Sequence, residues 1–160
     1  MSVFRNLMMM EKIIYNGATT KNGYRLDYVL NVGDTIVFSY RVISDIVKLE
    51  SSTTFLGFRL SQTPTASSGY SLYTISNSFM LYFWGSRETI NGVSAKSGDT
   101  IIVVLKVEAK NSDTYTLDIT IKCNDNILDN RSTFFKSTSM RIYNVSMNPT
   151  YIGNVRVTKA

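Results

Sequence analysis

Thr114-Tyr115-Thr116-Leu117-Asp118-Ile119-Thr120-Ile121-Lys122-Cys123 alternates with a period of two. Tyr115, Leu117, Ile119, Ile121 and Cys123 fall on one side, Thr116, Asp118, Thr120 and Lys122 on the other. A β-strand turns successive side chains to opposite faces. The stretch therefore predicts an antiparallel strand with one face in a core and one toward water. Asp34 to Val42 repeats the pattern, with Ile36, Phe38, Tyr40 and Val42 inward and Thr35, Val37, Ser39 and Arg41 outward. Ile101 to Leu105 is apolar on both faces and is expected to run centrally. Shorter runs predict strands near 8–15, 24–31, 54–61, 71–76, 78–84, 139–144 and 151–158. No long stretch shows the 3.6-residue period of an amphipathic helix.

Turn chemistry separates these runs. Asn16-Gly17, Lys21-Asn22-Gly23, Ser68-Gly69, Asn91-Gly92, Ser97-Gly98 and Asn124-Asp125-Asn126 tolerate positive φ or form side-chain turns. Ser51 to Thr54 and Ser61 to Ser68 read as loops. Many short strands with frequent turns indicate an all-β sandwich or barrel. At 160 residues without a composition break, one domain over 1–160 is expected, with 1–10 as an N-terminal arm. Gly33-Asp34-Thr35-Ile36-Val37 recurs as Gly98-Asp99-Thr100-Ile101-Ile102. One such echo is too little for a repeat architecture, but it predicts two strands entering the sandwich alike.

Composition closes several catalytic routes. With no histidine, Ser-His-Asp and Cys-His catalysis and His-ligated zinc are excluded. The single cysteine, Cys123, permits no internal disulfide and reads as a core thiol without a partner base. The net charge of +5 is spread from Arg5 to Lys159 without a run of three, so no nucleic-acid patch is expected. No apolar stretch approaches the ~20 residues of a membrane helix. The Leu7-Met8-Met9-Met10 run stops at Glu11, too short for a secretory signal.

Ser112 to Ile121, the Asn124-Asp125-Asn126 turn, Ser132-Thr133-Phe134-Phe135, Ser139-Met140-Arg141-Ile142 and Tyr151-Ile152-Gly153-Asn154-Val155-Arg156-Val157 follow one another in an order with precedent. It resembles the closing strands of concanavalin A-like lectin/glucanase jelly rolls, including laminin G-like modules. Tyr24 to Thr35 is similar to the opening of carbohydrate-binding modules attached to bacterial enzymes and phage tail proteins. The resemblance implies an antiparallel two-sheet β-sandwich of jelly-roll type. It also implies sugar binding, because lectins and glucanases share that fold.

Glucanases of this kind carry clustered carboxylates on one strand. Here Glu11, Glu50, Glu88 and Glu108 are scattered, and Asp27 and Asp118 stand alone. The expectation is therefore no enzyme. Recognition-type side chains concentrate in Phe79 to Glu88, where alternation sets Met80, Tyr82 and Trp84 opposite Phe79, Leu81 and Phe83. Tyr82 and Trp84 supply flat apolar surface for a sugar ring, and Arg87, Glu88 and Asn91 directional polar groups. Tyr70 and Tyr73 are expected to reach solvent at a rim, and core burial is the competing reading for Trp84.

No cofactor is expected. The resemblance raises calcium on Asn124, Asp125, Asn126 and Asp129, yet a tight turn selects Asn and Asp anyway. Asn130-Arg131-Ser132 and Asn144-Val145-Ser146 match the glycosylation sequon. Together these observations point to a non-catalytic carbohydrate-binding or attachment module carried on a phage particle, with a glycan as partner. Other virion proteins and a second copy of the chain are further candidate partners. The alternative is a structural virion or decoration protein without sugar affinity, and the third reading is a glycoside hydrolase.

Overall fold

A computed structural model of the chain describes residues 11–47, 53–60, 69–75, 78–83, 86–90 and 94–160, with the side chains of residues 53, 75, 83, 86 and 87 outside the description. Among the described residues twelve strands are formed: β1 Lys12–Ala18, β2 Gly23–Leu30, β3 Thr35–Val42, β4 Thr53–Arg59, β5 Gly69–Ile75, β6 Ser78–Phe83, β7 Ser86–Thr89, β8 Thr100–Asn111, β9 Thr114–Cys123, β10 Asn126–Lys136, β11 Met140–Met147 and β12 Ile152–Lys159. They make two six-stranded antiparallel sheets. Sheet A runs β1-β12-β3-β8-β9-β10 and sheet B runs β2-β11-β4-β5-β6-β7. This is an all-β, antiparallel two-sheet sandwich of jelly-roll type. No helix among the described residues is long and apolar enough to cross a membrane.

The alternation in sequence sets the core. Ile36, Phe38, Tyr40 and Val42 of β3, Ile101, Val103, Leu105 and Val107 of β8, and Tyr115, Leu117, Ile119, Ile121 and Cys123 of β9 are all buried. β8 lies between β3 and β9, so its outward Ile102 and Val104 are half-buried among neighbours, which accounts for its two apolar faces. From sheet B, Phe58 and Tyr70 meet Phe38 in an aromatic column. The Phe38–Phe58 centroids are 4.6 Å apart and the Phe58–Tyr70 centroids 5.1 Å, both pairs stacked. Beside the column, the Tyr40 hydroxyl donates to the Gly57 carbonyl at 2.9 Å, tying β3 to β4 through the core.

The Gly-Asp-Thr echo has a geometric meaning. Gly33 and Gly98 take φ of +94° and +97°, in turns that lead into β3 and β8. Gly33 N–H donates to Val107 O and Gly98 N–H to Val42 O, each at 2.8 Å. Val107 N–H returns to Asp34 O and Val42 N–H to Asp99 O, each at 2.9 Å. Both aspartates also accept from the backbone three residues upstream, at Asn31 and Lys96. The two turns are thus related by a local two-fold between antiparallel β3 and β8. They close opposite ends of the same strand pair.

Some local expectations are corrected. Asn16 and Gly17 do not turn; they lie within β1, opposite Arg156 and Val155 of β12. Thr53 and Thr54 belong to β4 rather than to a loop, and 86–89 forms a strand without strand-like alternation. Cross-strand pairing overrides weak local preference at these places. Residues 8–10 of the first predicted strand, the 1–10 arm, the 61–68 loop and Asn91-Gly92 lie outside the described residues.

Candidate functional site on the outer face of sheet B

The register of sheet B places small residues in one row across the strands. Gly23 of β2 is opposite Ser146 of β11, Ser146 opposite Gly57 of β4, Gly57 opposite Ser71 of β5, and Ser71 opposite Tyr82 of β6. Residues directly across an antiparallel ladder share a face. Leu56, Phe58, Tyr70, Leu72 and Leu81 point into the core, so their neighbours Gly57, Ser71 and Tyr82 face outward. The result is a floor of two glycines and two serines with Tyr82 at its end. Four strand intervals give it a length of about 19 Å, that of a short oligosaccharide.

Taller side chains border the floor. On one side runs Arg25–Asn144–Arg59, again in register. A Cβ added to Gly23 would stand 3.1 Å from Asn144 Oδ1, so that side-chain amide lies over Gly23. Arg59 in turn lies over Gly69, its Cγ 3.8 Å from where a Cβ would be. Beyond them Arg141 stacks on Tyr143, with 5.7 Å from guanidinium carbon to ring centroid. Arg141 Nη1 donates to Asp27 Oδ1 at 2.7 Å. Arg141 holds the Asp27 carboxyl below the usual carboxylate range, chiefly by this hydrogen bond. On the other side the row is Thr54–Tyr73–Met80–Thr89. Tyr73 meets Tyr82 edge to face at 6.0 Å, and the Tyr73 hydroxyl is buried without a hydrogen-bond partner.

The face thus carries three guanidinium groups and one amide along one border, the Tyr73 phenol along the other and the Tyr82 phenol at the end of the floor. Guanidinium forks match carboxylates in geometry and charge. Phenols can donate or accept a proton. Among the described residues Asp27 is the one carboxylate beside these groups, and it is engaged by Arg141.

The residues singled out from sequence are distributed as follows. Tyr82 is half-buried on the outer face, as alternation predicts. The backbone of Arg87 is opposite Tyr82, and its side chain lies outside the description, as do Trp84 and Asn91. The expectation that Tyr70 and Tyr73 reach solvent is corrected, since they are 1% and 9% exposed. Tyr70 points inward opposite Phe58 and joins the aromatic column. Glu88 is opposite inward-facing Leu81 and reaches across the open edge of the sandwich to Arg131 of β10, with Nη1 to Oε2 at 2.5 Å.

Arg131 also pairs with Asp129, Nε to Oδ2 at 2.7 Å, inside the edge where Tyr70 ends. Burial opposes the Arg131 charge, but hydrogen bonds to Asp129 and Glu88 outweigh it and raise its pKa. Burial, reinforced by Asp129, pushes the Tyr70 phenol far up. Asn124 and Asp129, raised as calcium ligands, serve different partners. Asn124 accepts from Thr100 N–H at 3.0 Å, and Asp129 accepts from Arg131. No group of three or more His, Cys, Asp or Glu among the described residues is arranged to hold a metal. Cys123 is buried, its thiol 3.7 Å from Asp99 Oδ2.

Sequence reasoning missed Gly57, Ser71, Ser146, Arg25, Arg59 and Asn144. Each is unremarkable within its own strand. Only cross-strand register gathers them.

No protein-family model and no curated protein matches the chain. Solved structures do match its fold. The alginate lyase Aly36B is 11% identical with a TM-score of 0.50, covering 90% of this chain and 79% of the lyase. A variant of that lyase in complex with alginate trisaccharide matches at 10% identity, with a TM-score of 0.50 and coverage of 90% and 80%. The endo-β-1,4-glucuronan lyase of the fungus Trichoderma reesei is 13% identical with a TM-score of 0.45, covering 94% and 77%.

What this chain shares with Aly36B is the fold, and in that protein the fold is an enzyme's. The expectations of a non-catalytic attachment module and of no enzyme are corrected accordingly. They rested on two absences, histidine and a strand-borne carboxylate cluster. Acid–base chemistry also runs on tyrosine and lysine with arginine as the charge stabiliser.

Proposed function

We propose that the protein is a glycan-processing enzyme that cleaves a uronate-containing polysaccharide by β-elimination across the outer face of sheet B. The observation that carries this reading is the Arg25–Asn144–Arg59 border beside the Gly/Ser floor that ends at Tyr82. A polyuronate chain laid along the floor presents carboxylates to that border. A guanidinium or amide on the carboxylate stabilises the negative charge that builds when the adjacent C5 proton leaves. Tyr82 serves as the base that takes that proton; the electron pair forms the C4–C5 double bond, and the C4–O glycosidic bond breaks. The departing oxygen gains a proton from a phenol or from solvent. No water is consumed, and the chemistry needs neither histidine nor paired carboxylates. The alginate and glucuronan substrates named for the lyases above are of this chemical class.

The test is incubation of the purified protein with alginate, polyglucuronate, polygalacturonate and a neutral glucan. The expected result is ultraviolet absorbance from the unsaturated uronate on acidic polymers only, abolished in Arg59→Ala and strongly reduced in Tyr82→Phe. New reducing ends without that absorbance would assign hydrolysis instead, and neither signal on any polymer would overturn the reading. A phage-particle setting, with virion proteins as partners, belongs to the same proposal, since such an enzyme would open an acidic glycan layer ahead of a particle. Antibody detection on purified particles tests it, and light scattering during size-exclusion chromatography tests self-association.

A further inference from the structure

Asp27 adopts φ +55° in the middle of β2. The other described non-glycine residues with positive φ, Ser112 and Asn124, sit in the tight β8–β9 and β9–β10 turns, where that conformation reverses the chain. Asp27 reverses nothing. Arg25 is opposite Asn144 and Tyr28 opposite Ile142, so β2 takes three steps where β11 takes two. This is a β-bulge with its left-handed residue at Asp27, a position where glycine is the unstrained choice.

The carboxylate accounts for aspartate in place of glycine. Its Oδ1 accepts from Arg141 Nη1 at 2.7 Å, and its Oδ2 lies 3.6 Å from Arg25 Nη2. One side chain thereby links two guanidinium groups from adjacent strands along the cationic border of the floor. Arg141 is further fixed by stacking on Tyr143. A guanidinium presents five N–H donors in a rigid fork, so a carboxylate on one edge leaves others for a ligand.

We infer that Asp27 is a positioning residue, holding Arg141 and Arg25 so that an acidic polysaccharide meets preset guanidinium groups. The inference rests on the proposed function for its ligand class. Strained backbone retained beside a candidate binding face has this explanation when the strained side chain orients the groups that make contact.

The test compares wild type with Asp27→Gly and Asp27→Asn in the full chain. Asp27→Gly relieves the backbone and removes the carboxylate. Its melting temperature should therefore equal or exceed that of wild type, while KM for the acidic polymer rises about tenfold, with kcat changed less. Asp27→Asn tolerates the same φ but lacks the charge and should fall between. A second readout needs no turnover: the Arg141 Nε–Hε signal in NMR should report a fixed side chain in wild type and an averaged one in Asp27→Gly. If wild type cleaves nothing, the elimination reading fails, and Asp27 is then judged by this signal together with equilibrium binding of alginate oligosaccharides. An unchanged Arg141 signal, unchanged KM or affinity in Asp27→Gly, or no polyuronate binding by wild type would each overturn the inference. A fall in melting temperature with unchanged KM would make Asp27 structural only and overturn it too.

Discussion

Replacing Gly57 by alanine puts the link between core and floor to a direct test. A Cβ at Gly57 would fall well inside van der Waals contact of the Tyr70 carbonyl oxygen and 3.0 Å from the Ser71 Cβ. The first obstacle is backbone of the neighbouring strand and cannot rotate away. Either β5 or β4 must therefore shift, and β4 is anchored from inside by the Tyr40–Gly57 hydrogen bond. Overpacking of this kind costs about 1–3 kcal/mol. At about 2 kcal/mol, a domain of this size loses roughly 4–8 °C in melting temperature. Two sister glycines calibrate the reasoning. At Gly23 the nearest atoms would be 3.1 and 3.2 Å away, so Gly23→Ala should melt close to wild type or slightly below. At Gly69 the nearest are 3.8 Å away, and alanine there should gain about 0.5–1 kcal/mol from reduced chain entropy. Thermal unfolding by circular dichroism, with urea titration for free energies, gives all three numbers. A Gly57→Ala protein melting at or above wild type, or a reversed order in the series, would refute the contact argument.

Two buried phenols should respond differently to the same change. Tyr40→Phe loses the bond to the Gly57 carbonyl and should cost about 1 kcal/mol. Tyr70→Phe removes a hydroxyl buried without a partner, so equilibrium unfolding should show it neutral or stabilised. At the open edge, Arg131→Ala leaves Asp129 uncompensated where both side chains are 15–20% exposed. A loss of about 2–3 kcal/mol is expected, below the 3–5 for a fully buried pair. Arg131→Met combined with Asp129→Leu should recover much of it by urea titration. Asp99 has its pKa held low, chiefly by the Lys96 N–H, with Asn124 adding to it. Its folded pKa therefore lies below the unfolded value, and its contribution to stability is present above the unfolded pKa and lost as pH falls through the folded one. Asp99→Asn should flatten the acid limb of a stability–pH curve. Burial, followed by Asp99, raises the Cys123 thiol pKa, so iodoacetamide should alkylate it slowly in native protein at neutral pH and faster in Asp99→Asn.

The period-two runs in β3 and β9 determined by themselves that the chain is all-β, a sandwich or a barrel, and which of their side chains fill its core, because strand alternation is a local property; β8, apolar on both faces, showed only that it runs centrally. The Gly-Asp-Thr echo likewise announced two equivalent strand entries, since a turn and its aspartate cap span only a few residues. The candidate site was legible only at Tyr82, whose outward placement follows from the parity of Phe79 and Leu81. For Tyr70 and Tyr73 the sequence misled, because a tyrosine in a Ser/Thr-rich stretch looks like surface until its partner strand is known. Opposite Phe58, Tyr70 can only point inward. The floor of Gly23, Ser146, Gly57 and Ser71, and its border of Arg25, Asn144 and Arg59, come from four strands scattered across 124 positions, 23–146. Their meeting was decided by sheet order and register, which shift every side chain to the other face with a one-residue slip. That is why composition and local pattern determined the scaffold and which chemistry lacks histidine, while tertiary pairing alone decided that guanidinium groups and phenols share one face.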